Sequence, residues 1–264
     1  MNILKRSLAP ITDAAWEEIT EQSNQILRSL LTVRKFVDIS GPHGWDHGAV
    51  QLGRLDMPKQ NPKEGVQYGI HKVLPLTEFK VPFRLSIQEL DNINRGAEDA
   101  DLGPLEEAAR KVAGFEERAA YYGFKNGKIQ GLKERSDYKP LSCPKDAKEV
   151  LHCVPEGISQ FKEASIEGPY YLVVNPKEWR EITSYVEGYP LKKQVQDNLD
   201  AEILFCPNIE DMFLVTGRGG DYKLTLGGDI SIGYSKHDTE EVELYFAESF
   251  TFQVLEPSAV LMFD

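Results

Sequence analysis

Apolar residues recur at helical spacing near the start of the chain, among polar neighbours. They are Trp16, Ile19, Ile26, Leu27, Leu30 and Leu31. Thr12 or Asp13 can cap a helix there, because a short side-chain oxygen accepts a hydrogen bond from a free backbone N–H. The pattern predicts an amphipathic first helix whose apolar face is either core or a docking strip, with core favoured.

Two further helices are predicted before the middle of the chain. Ser86 and Glu89 have the spacing of a capping box, and Gly96 offers a stop for a short helix. A longer helix begins at Pro104, since proline is tolerated in the first turn, and its apolar face runs to Tyr122. This longer segment carries the strongest helical pattern in the chain.

The segment 51–72 is polar and rich in turn residues, yet alternating residues flank it. Such a pattern predicts a projecting β-hairpin or arm. Beyond Gly131, short helices and strands alternate, and Pro155 is expected to break one of these helices. The glycine-rich run from Gly217 to Asp221 predicts a hairpin turn.

The tail from residue 222 returns to β-strands, with separate strands expected near residues 243–246 and 250–254. In the closing run 248–254, alternation points Phe250 and Phe252 inward and Thr251 and Gln253 outward. The sequence of elements as a whole predicts the α+β fold class.

Composition narrows the possible functions. Acidic residues outnumber basic ones 42 to 30, and the net charge of −12 argues against a nucleic-acid partner. No long apolar stretch predicts a membrane span. Cys143, Cys153 and Cys206 lack the spacing of a disulfide framework or a zinc site, so free thiols in a reducing compartment are expected.

Candidate chemistry is sparse. His43, Asp46 and His47 could ligate a metal, but no rigid element holds them, so a solvated turn is favoured. The adjacent carboxylates Glu116 and Glu117 point in different directions and predict a solvated face. No cysteine lies in a nucleophile signature. These residues favour a structural or assembly role over an enzymatic one.

Several short segments, in colinear order, share their sequence with one protein family. They include Leu4–Pro10, Arg34–Asp38, Gly41–Trp45, Glu89–Asn92, Gly168–Tyr170, Tyr189–Leu191, Ile209–Asp211, Arg218–Asp221, Asp229–Tyr234 and Glu248–Val254. Together they resemble the encapsulins, once described as linocin-type bacteriocins. The matches span nearly the whole chain, and the last three segments are the most specific.

The resemblance implies the HK97 bacteriophage capsid fold, which is an α+β fold with a peripheral domain, an axial domain and an extended loop. It divides the chain into 1–48, the first helix and start of the peripheral domain; 49–76, the extended loop; 77–130, the peripheral domain with its spine helix; 131–222, the axial domain; and 223–264, the C-terminal strands of the peripheral domain.

The resemblance also implies a function as a shell subunit rather than an enzyme. Similar chains self-assemble into icosahedral nanocompartments, and a chain of this length resembles those that use sixty copies. The shell encloses cargo that bears a C-terminal targeting peptide, either a ferritin-like iron-storage protein or a dye-decolourising peroxidase, in the cytoplasm. The alternatives are a linocin-type bacteriocin or protease, and a phage major capsid protein.

Two sets of site residues follow from similar shells. The cargo-peptide set is Leu30, Leu31, Arg34, Val37 and Asp38, and the five-fold pore set is Tyr185, Val186, Glu187, Gly188 and Tyr189. Glu187 could favour cations at a pore, and an ordinary surface loop is an equal alternative. No cofactor is expected, because Gln88 stands where some relatives place an aromatic residue beside a flavin.

Overall fold

The computed structural model describes residues 3–57, 66–143, 150–187 and 189–264, and of residues 186 and 187 it describes the backbone only. The helices are α1 (Asp13–Leu30), α2 (Ile87–Asn94), α3 (Gly103–Tyr122), α4 (Leu132–Arg135), α5 (Val150–Glu163), α6 (Pro176–Ser184) and α7 (Leu191–Leu199). The strands are β1 (Asp38–Ser40), β2 (Ala49–Asp56), β3 (Ile70–Pro75), β4 (Thr77–Ser86), β5 (Tyr170–Val174), β6 (Val186–Glu187), β7 (Tyr189–Pro190), β8 (Ile203–Phe205), β9 (Met212–Thr216), β10 (Tyr222–Leu226), β11 (Ser231–His237), β12 (Glu241–Val254) and β13 (Val260–Phe263).

The two long helices predicted from apolar periodicity are confirmed. Thr12 caps α1 by accepting a hydrogen bond from the backbone N–H of Ala15 at 3.3 Å. Pro104 lies in the first turn of α3, and Gly123 ends that helix with a φ of 88°. The first half of α3 packs with α1 and β4, while its last turns pack against the second sheet, so this helix spans both parts of the core.

The short helix α2 is confirmed, but its predicted capping box is wrong. The Ser86 side chain makes no cap hydrogen bond. Glu89 instead accepts hydrogen bonds from the Asn92 side chain at 3.1 Å and from the backbone N–H of Asp101 at 3.1 Å. Its carboxylate therefore fixes the loop between α2 and α3, which no local sequence pattern shows.

The first sheet is built around β12, whose 14 residues pair with β4, β10 and β11, while β1 pairs with β10 in parallel. The prediction of two separate strands here is wrong, because one unbroken strand covers both. Phe250 and Phe252 face the core as predicted. Thr251 is also fully buried, contrary to the simple alternation, because both faces of this end of β12 are covered.

The second sheet has the strand order β13-β9-β5-β8. Because β13 pairs with β9, residues 260–263 join a sheet whose other strands come from residues 170–216. The turn from Gly217 to Asp221 connects β9 to β10 in the other sheet. It is therefore a crossover and not the predicted hairpin turn.

Pro155 lies inside α5 and does not break it. Proline removes one backbone hydrogen bond, but the helix buries an apolar face that includes Val154, Ile158 and Phe161 against the second sheet. Gly157 allows the close approach, since a Cβ there would lie 3.0 Å from a methyl group of Leu214. Tertiary packing thus outweighs the local helix-breaking tendency of the proline.

Cys143 and Cys153 form a disulfide, with their Cα atoms 5.7 Å apart, so the expectation of free thiols at these positions is wrong. Cys206 is the free cysteine of the described residues, and it is buried. The disulfide joins the segment before residue 144 to the first turn of α5. Sequence spacing cannot reveal this pair, because both cysteines meet only once the second sheet has formed.

The predicted arm is a two-stranded hairpin of β2 and β3. Its tip, residues 58–65, lies outside the described residues. The hairpin and the residues next to it expose large apolar side chains, namely Leu55, Met57, Val66, Tyr68, Ile70 and Val73. Apolar side chains exposed side by side on a projecting hairpin are typical of a surface that another protein chain covers.

Phe250→Ala is expected to lower the free energy of unfolding by about 3–5 kcal/mol, because it deletes a fully buried ring that meets Phe79 and Phe115 edge-on. Guanidinium unfolding of the purified variant, followed by tryptophan fluorescence, measures the change. The matched control is Leu255→Ala, at a position 52% exposed, where less than about 0.5 kcal/mol is expected. Equal effects of the two substitutions contradict the assignment of Phe250 to the core.

Candidate functional site

The chain turns sharply after α1, where a one-turn 3-10 helix over Val33–Lys35 leads into β1. The turn places Arg34 toward the body of the protein, with only 17% of its side chain exposed. Leu30 and Leu31 are buried on either side of the helix end. This segment contains all five residues predicted to bind a cargo peptide.

The Arg34 guanidinium lies among three carboxylates from distant parts of the chain. Its Nε donates to Glu116 Oε1 of α3 at 2.8 Å, and its Nη2 donates to Glu116 Oε2 at 2.6 Å and to Glu248 Oε1 of β12 at 2.9 Å. Its Nη1 donates to Asp229 Oδ1 at 2.9 Å. Glu116 and Glu248 are fully buried. We call these four residues the Arg34 cluster.

One guanidinium cannot neutralise three carboxylates. Burial and the neighbouring Glu116 raise the pKa of the Glu248 carboxyl well above its ordinary value. Burial opposes the positive charge of Arg34, but Glu116, Glu248 and Asp229 outweigh that effect and raise the arginine pKa. Arg34 therefore stays charged, and its ion pairs offset part of the cost of burying Glu116 and Glu248.

A second buried carboxylate, Glu117, holds the same turn from its other side. Thr32 Oγ1 donates to Glu117 Oε2, and the backbone N–H of Val33 donates to Glu117 Oε1 at 2.9 Å. Cys206 Sγ, which follows β8, donates to Glu117 Oε2 at 3.2 Å. Burial raises the pKa of the Glu117 carboxyl to about 7, while the hydrogen bonds from Thr32 and Val33 oppose this shift.

The prediction that Glu116 and Glu117 form a solvated face is wrong, since both side chains are fully buried. Adjacent residues on a helix project about 100° apart, so each carboxylate can meet a different part of the protein. One sequence signal was available: Glu248 occupies the alternating position shared by Phe250 and Phe252, which predicts a core-facing side chain. A buried acid there requires a buried cation or a proton.

A cleft of about 270 Å³ lies between α1 and the loop before β11. Leu27, Leu31 and Ile230 form its apolar part. Arg34 and Asp229 close it at the polar end, and Asp229 is 44% exposed. Asn24, Arg28 and Lys35 also line it. We call this feature the α1 cleft.

Of the five predicted cargo-peptide residues, Leu31 and Arg34 line the α1 cleft. Leu30 is buried in the core cluster around α1, whereas Val37 packs against the other core cluster, which includes the second sheet. Asp38 accepts a hydrogen bond from the backbone N–H of Gly220 at 2.7 Å. Sequence reasoning did not identify the cleft residues Leu27, Arg28, Lys35, Asp229 and Ile230. The cleft exists only once α1 packs beside the loop at residue 229, and no local pattern shows that contact.

Comparison with known proteins decides the family. Residues 1–251 match the family described as "Encapsulating protein for peroxidase". The "Type 1 encapsulin shell protein" of Mycolicibacterium paratuberculosis is 38% identical over 253 residues, which cover 96% of this chain and 95% of that protein. The protein of the same name from Rhodococcus erythropolis is 38% identical over 262 residues and 99% of both chains. The chain belongs to the encapsulin shell proteins.

Solved structures confirm the predicted fold of this encapsulin shell subunit. The virus-like particle from Pyrococcus furiosus has a TM-score of 0.65 at 15% identity and covers 94% of this chain and 98% of its own. The capsid of Myoviridae phage XM1 has a TM-score of 0.54 at 12% identity and covers 89% and 91%. The subunit therefore has the HK97-type α+β capsid fold.

The pore prediction for the encapsulin subunit stays a prediction. Val186 and Glu187 form β6, which pairs with β7, but their side chains and all of Gly188 lie outside the described residues. Tyr189 is exposed at the start of β7. Tyr185 ends α6, and its carbonyl accepts a hydrogen bond from the backbone N–H of Leu191 at 3.2 Å.

Metal-binding groups and membrane spans were sought in the described parts of the encapsulin subunit. There, no three His, Cys, Asp or Glu side chains are grouped closely enough to hold a metal ion. His43 instead shares a hydrogen bond of 2.9 Å with Ser40. None of the described helices has the length and apolar content needed to cross a bilayer. The curated relatives carry the name of a structural shell protein, not of an enzyme.

Arg34→Met is expected to destabilise the subunit by about 3–5 kcal/mol, because it leaves the buried Glu116 and Glu248 without a cation. Guanidinium unfolding measures the loss. Lys35→Met, at the exposed neighbouring position, is the matched control and should change little. Adding Glu116→Gln to Arg34→Met should restore part of the stability. An Arg34→Met variant as stable as Lys35→Met contradicts the role of the cluster.

Glu117→Gln is expected to flatten the pH dependence of stability. The folded-state pKa near 7 exceeds the ordinary value of 4.5, so the Glu117 contribution is fully present below about pH 4.5 and is lost as pH rises through about 7. The contribution of Glu117 to the free energy of unfolding falls by about 3 kcal/mol across this pH range. Unfolding of wild type and variant across this window tests it. Glu107→Gln is the control, because Glu107 is exposed on the same helix, and this variant should show the same change of stability with pH as the wild type.

Proposed function

We propose that sixty copies of this encapsulin subunit close into the smallest icosahedral shell, in the cytoplasm, and enclose a cargo enzyme. The family supports self-assembly, and the copy number is proposed because a chain of this modest length resembles the members that build the smallest icosahedron, with larger shells as the alternative. The exposed apolar side chains of the arm support the assembly, because they would be covered by a neighbouring copy. The shell itself acts by enclosure and not by catalysis.

The observation that carries the cargo proposal is the α1 cleft. It combines an apolar surface formed by Leu27, Leu31 and Ile230 with a polar end formed by Arg34 and Asp229. An extended peptide can place aliphatic side chains on the apolar surface and form hydrogen bonds with the polar end. The cleft therefore suits a short targeting peptide at the C-terminus of a cargo protein.

The polar end of the cleft is held in place by ion pairs, which favours binding. Arg34 is held by three carboxylates at 2.6–2.9 Å, so the polar end keeps its position before a peptide arrives. Leu27 and Leu31 are mostly buried, and only their outer edges contribute to the cleft. A receptor that is ordered in advance loses little conformational entropy on binding, and this raises its affinity for a flexible peptide.

The cargo classes are a dye-decolourising peroxidase and a ferritin-like iron-storage protein. The first agrees with the description of the matching family as an encapsulating protein for peroxidase. We propose further that the shell holds no flavin at α2, where exposed Gln88 offers no aromatic face for stacking. At the five-fold pore, we propose that a ring of Glu187 carboxylates admits cations to the cargo.

Ile230→Asp is expected to reduce cargo loading at least about tenfold, because a carboxylate replaces an apolar side chain that must meet an aliphatic peptide group. The measurement is co-expression with a fluorescent protein that ends in the targeting peptide of a neighbouring cargo gene. Fluorescence per purified shell is then compared with wild type.

The matched control is Leu255→Asp, which introduces the same charge at an exposed leucine outside the cleft. Electron microscopy must show intact shells for both variants, and counting the copies per shell tests the value of sixty. Normal loading of intact Ile230→Asp shells refutes the cleft as the docking site. A shell of another size refutes only the copy number.

A further inference from the structure

The α1 cleft has three basic side chains, and one of them is already neutralised. Arg34 forms ion pairs with three carboxylates at 2.6–2.9 Å, and only 17% of its side chain is exposed. An anion that entered the cleft would have to compete with these carboxylates for the same guanidinium. Arg34 therefore shapes the cleft but is not free to bind a further negative charge.

The other two basic residues, Arg28 and Lys35, are exposed and free. Arg28 lies in the last turn of α1, and Lys35 ends the one-turn helix that follows. Both line the α1 cleft. Within the described part of the chain, neither side chain forms an ion pair or a hydrogen bond. The cleft thus presents two unpaired positive charges, although the chain as a whole has a net charge of −12.

The free cations lie directly beside the apolar part of the cleft. Leu27 and Leu31 are four positions apart at the end of α1, and Arg28 follows Leu27. One helical turn rises about 5.4 Å, and an extended peptide rises about 3.3 Å per residue. An aliphatic residue that rests on Leu27 or Leu31 therefore lies within about two residues of a group that meets Arg28.

The chemistry of the proposed partner matches this arrangement. A targeting peptide at the C-terminus of a cargo protein carries one carboxylate whatever its sequence, namely its terminal α-carboxylate. Arginine and lysine bind carboxylates by charge-assisted hydrogen bonds, and capture of a C-terminal carboxylate is a recurring mode of peptide recognition. Asp229 on the opposite wall is 44% exposed and would repel a carboxylate placed beside it. The charges of the cleft therefore direct the chain end toward Arg28 and Lys35.

We propose that Arg28 and Lys35 bind the terminal carboxylate of the targeting peptide, so that the free end of the cargo chain is itself part of the signal. Aliphatic residues next to that end occupy the apolar surface of the cleft. This assignment rests on the α1 cleft as the docking site, and it adds a specificity that an apolar surface cannot supply. The same sequence in the interior of a cargo chain lacks the carboxylate and binds more weakly.

A two-colour competition tests this assignment in the assembled shell. Two fluorescent proteins that end in the targeting peptide of the neighbouring cargo gene are co-expressed with the subunit. One of them has a Gly-Ser-Gly extension, which moves the carboxylate by about 10 Å in an extended chain. After correction for the expression of each protein, purified shells should contain about a tenfold excess of the unextended cargo. Exchanging the two colours should preserve this ratio.

Matched shell variants separate recognition of charge from steric obstruction. In shells with both Arg28→Gln and Lys35→Gln, the ratio should fall to about one, because neither cargo finds a cation, whereas a steric penalty of the extension would persist. The conservative pair Arg28→Lys and Lys35→Arg should keep the preference for the unextended cargo. Arg118→Gln with Lys125→Gln removes two exposed cations that do not line the cleft, and it should keep the preference too.

The possible failures of the two proposals are distinguishable. A ratio near one in wild-type shells that contain both cargoes overturns the carboxylate assignment and leaves the docking site intact. A preference that persists in the Arg28→Gln, Lys35→Gln shells also overturns the assignment alone. Loading of both cargoes that Ile230→Asp leaves unchanged overturns the docking site and, with it, the carboxylate assignment. Purified intact shells are compared in each case.

Discussion

The subunit depends on the burial of one arginine. Arg34 joins the turn after α1 to α3, to the loop before β11 and to β12, through Glu116, Asp229 and Glu248. Glu116 and Glu248 are fully buried, so neither can turn to solvent if Arg34 moves. A buried carboxylate without its cation is strongly destabilising. The first helix therefore keeps a single position relative to the sheet, and the α1 cleft keeps a single shape.

The adjacent Glu117 extends this constraint to the other half of the molecule. It accepts hydrogen bonds from Thr32 and Val33 in the turn and from Cys206 beside the second sheet. Two consecutive residues of α3 thus tie the same turn to both sheets. A shell wall must keep its subunits in one shape, because the angle between copies decides whether a closed shell forms. The buried polar network supplies that rigidity near the centre of the subunit.

Sequence patterns predicted what depends on local periodicity, including α1, α3 and the arm, but not β13 of the second sheet. They failed where the decisive partner lies far along the chain. The local sequence predicts an exposed Glu116, because Arg34 and Glu248 come to lie beside it only in the folded chain. Pro155 was expected to break its helix, but the packing of α5 compensates for the backbone hydrogen bond that proline removes. The α1 cleft was not predicted for the same reason, since its residues Ile230 and Leu27 are about two hundred positions apart in the sequence. Resemblance to the family located the neighbourhood of the site, and the structure gave its geometry.

The charge balance explains why assembly must rely on apolar contacts. The formal net charge of −12 counts every carboxylate as ionised. Burial raises the pKa of the Glu117 carboxyl to about 7, which removes part of that charge inside the core but leaves the surface acidic. Copies of an acidic subunit repel one another at long range. The attraction that closes the shell must then act at short range, and the exposed apolar side chains of the arm are the described surface best suited to provide it.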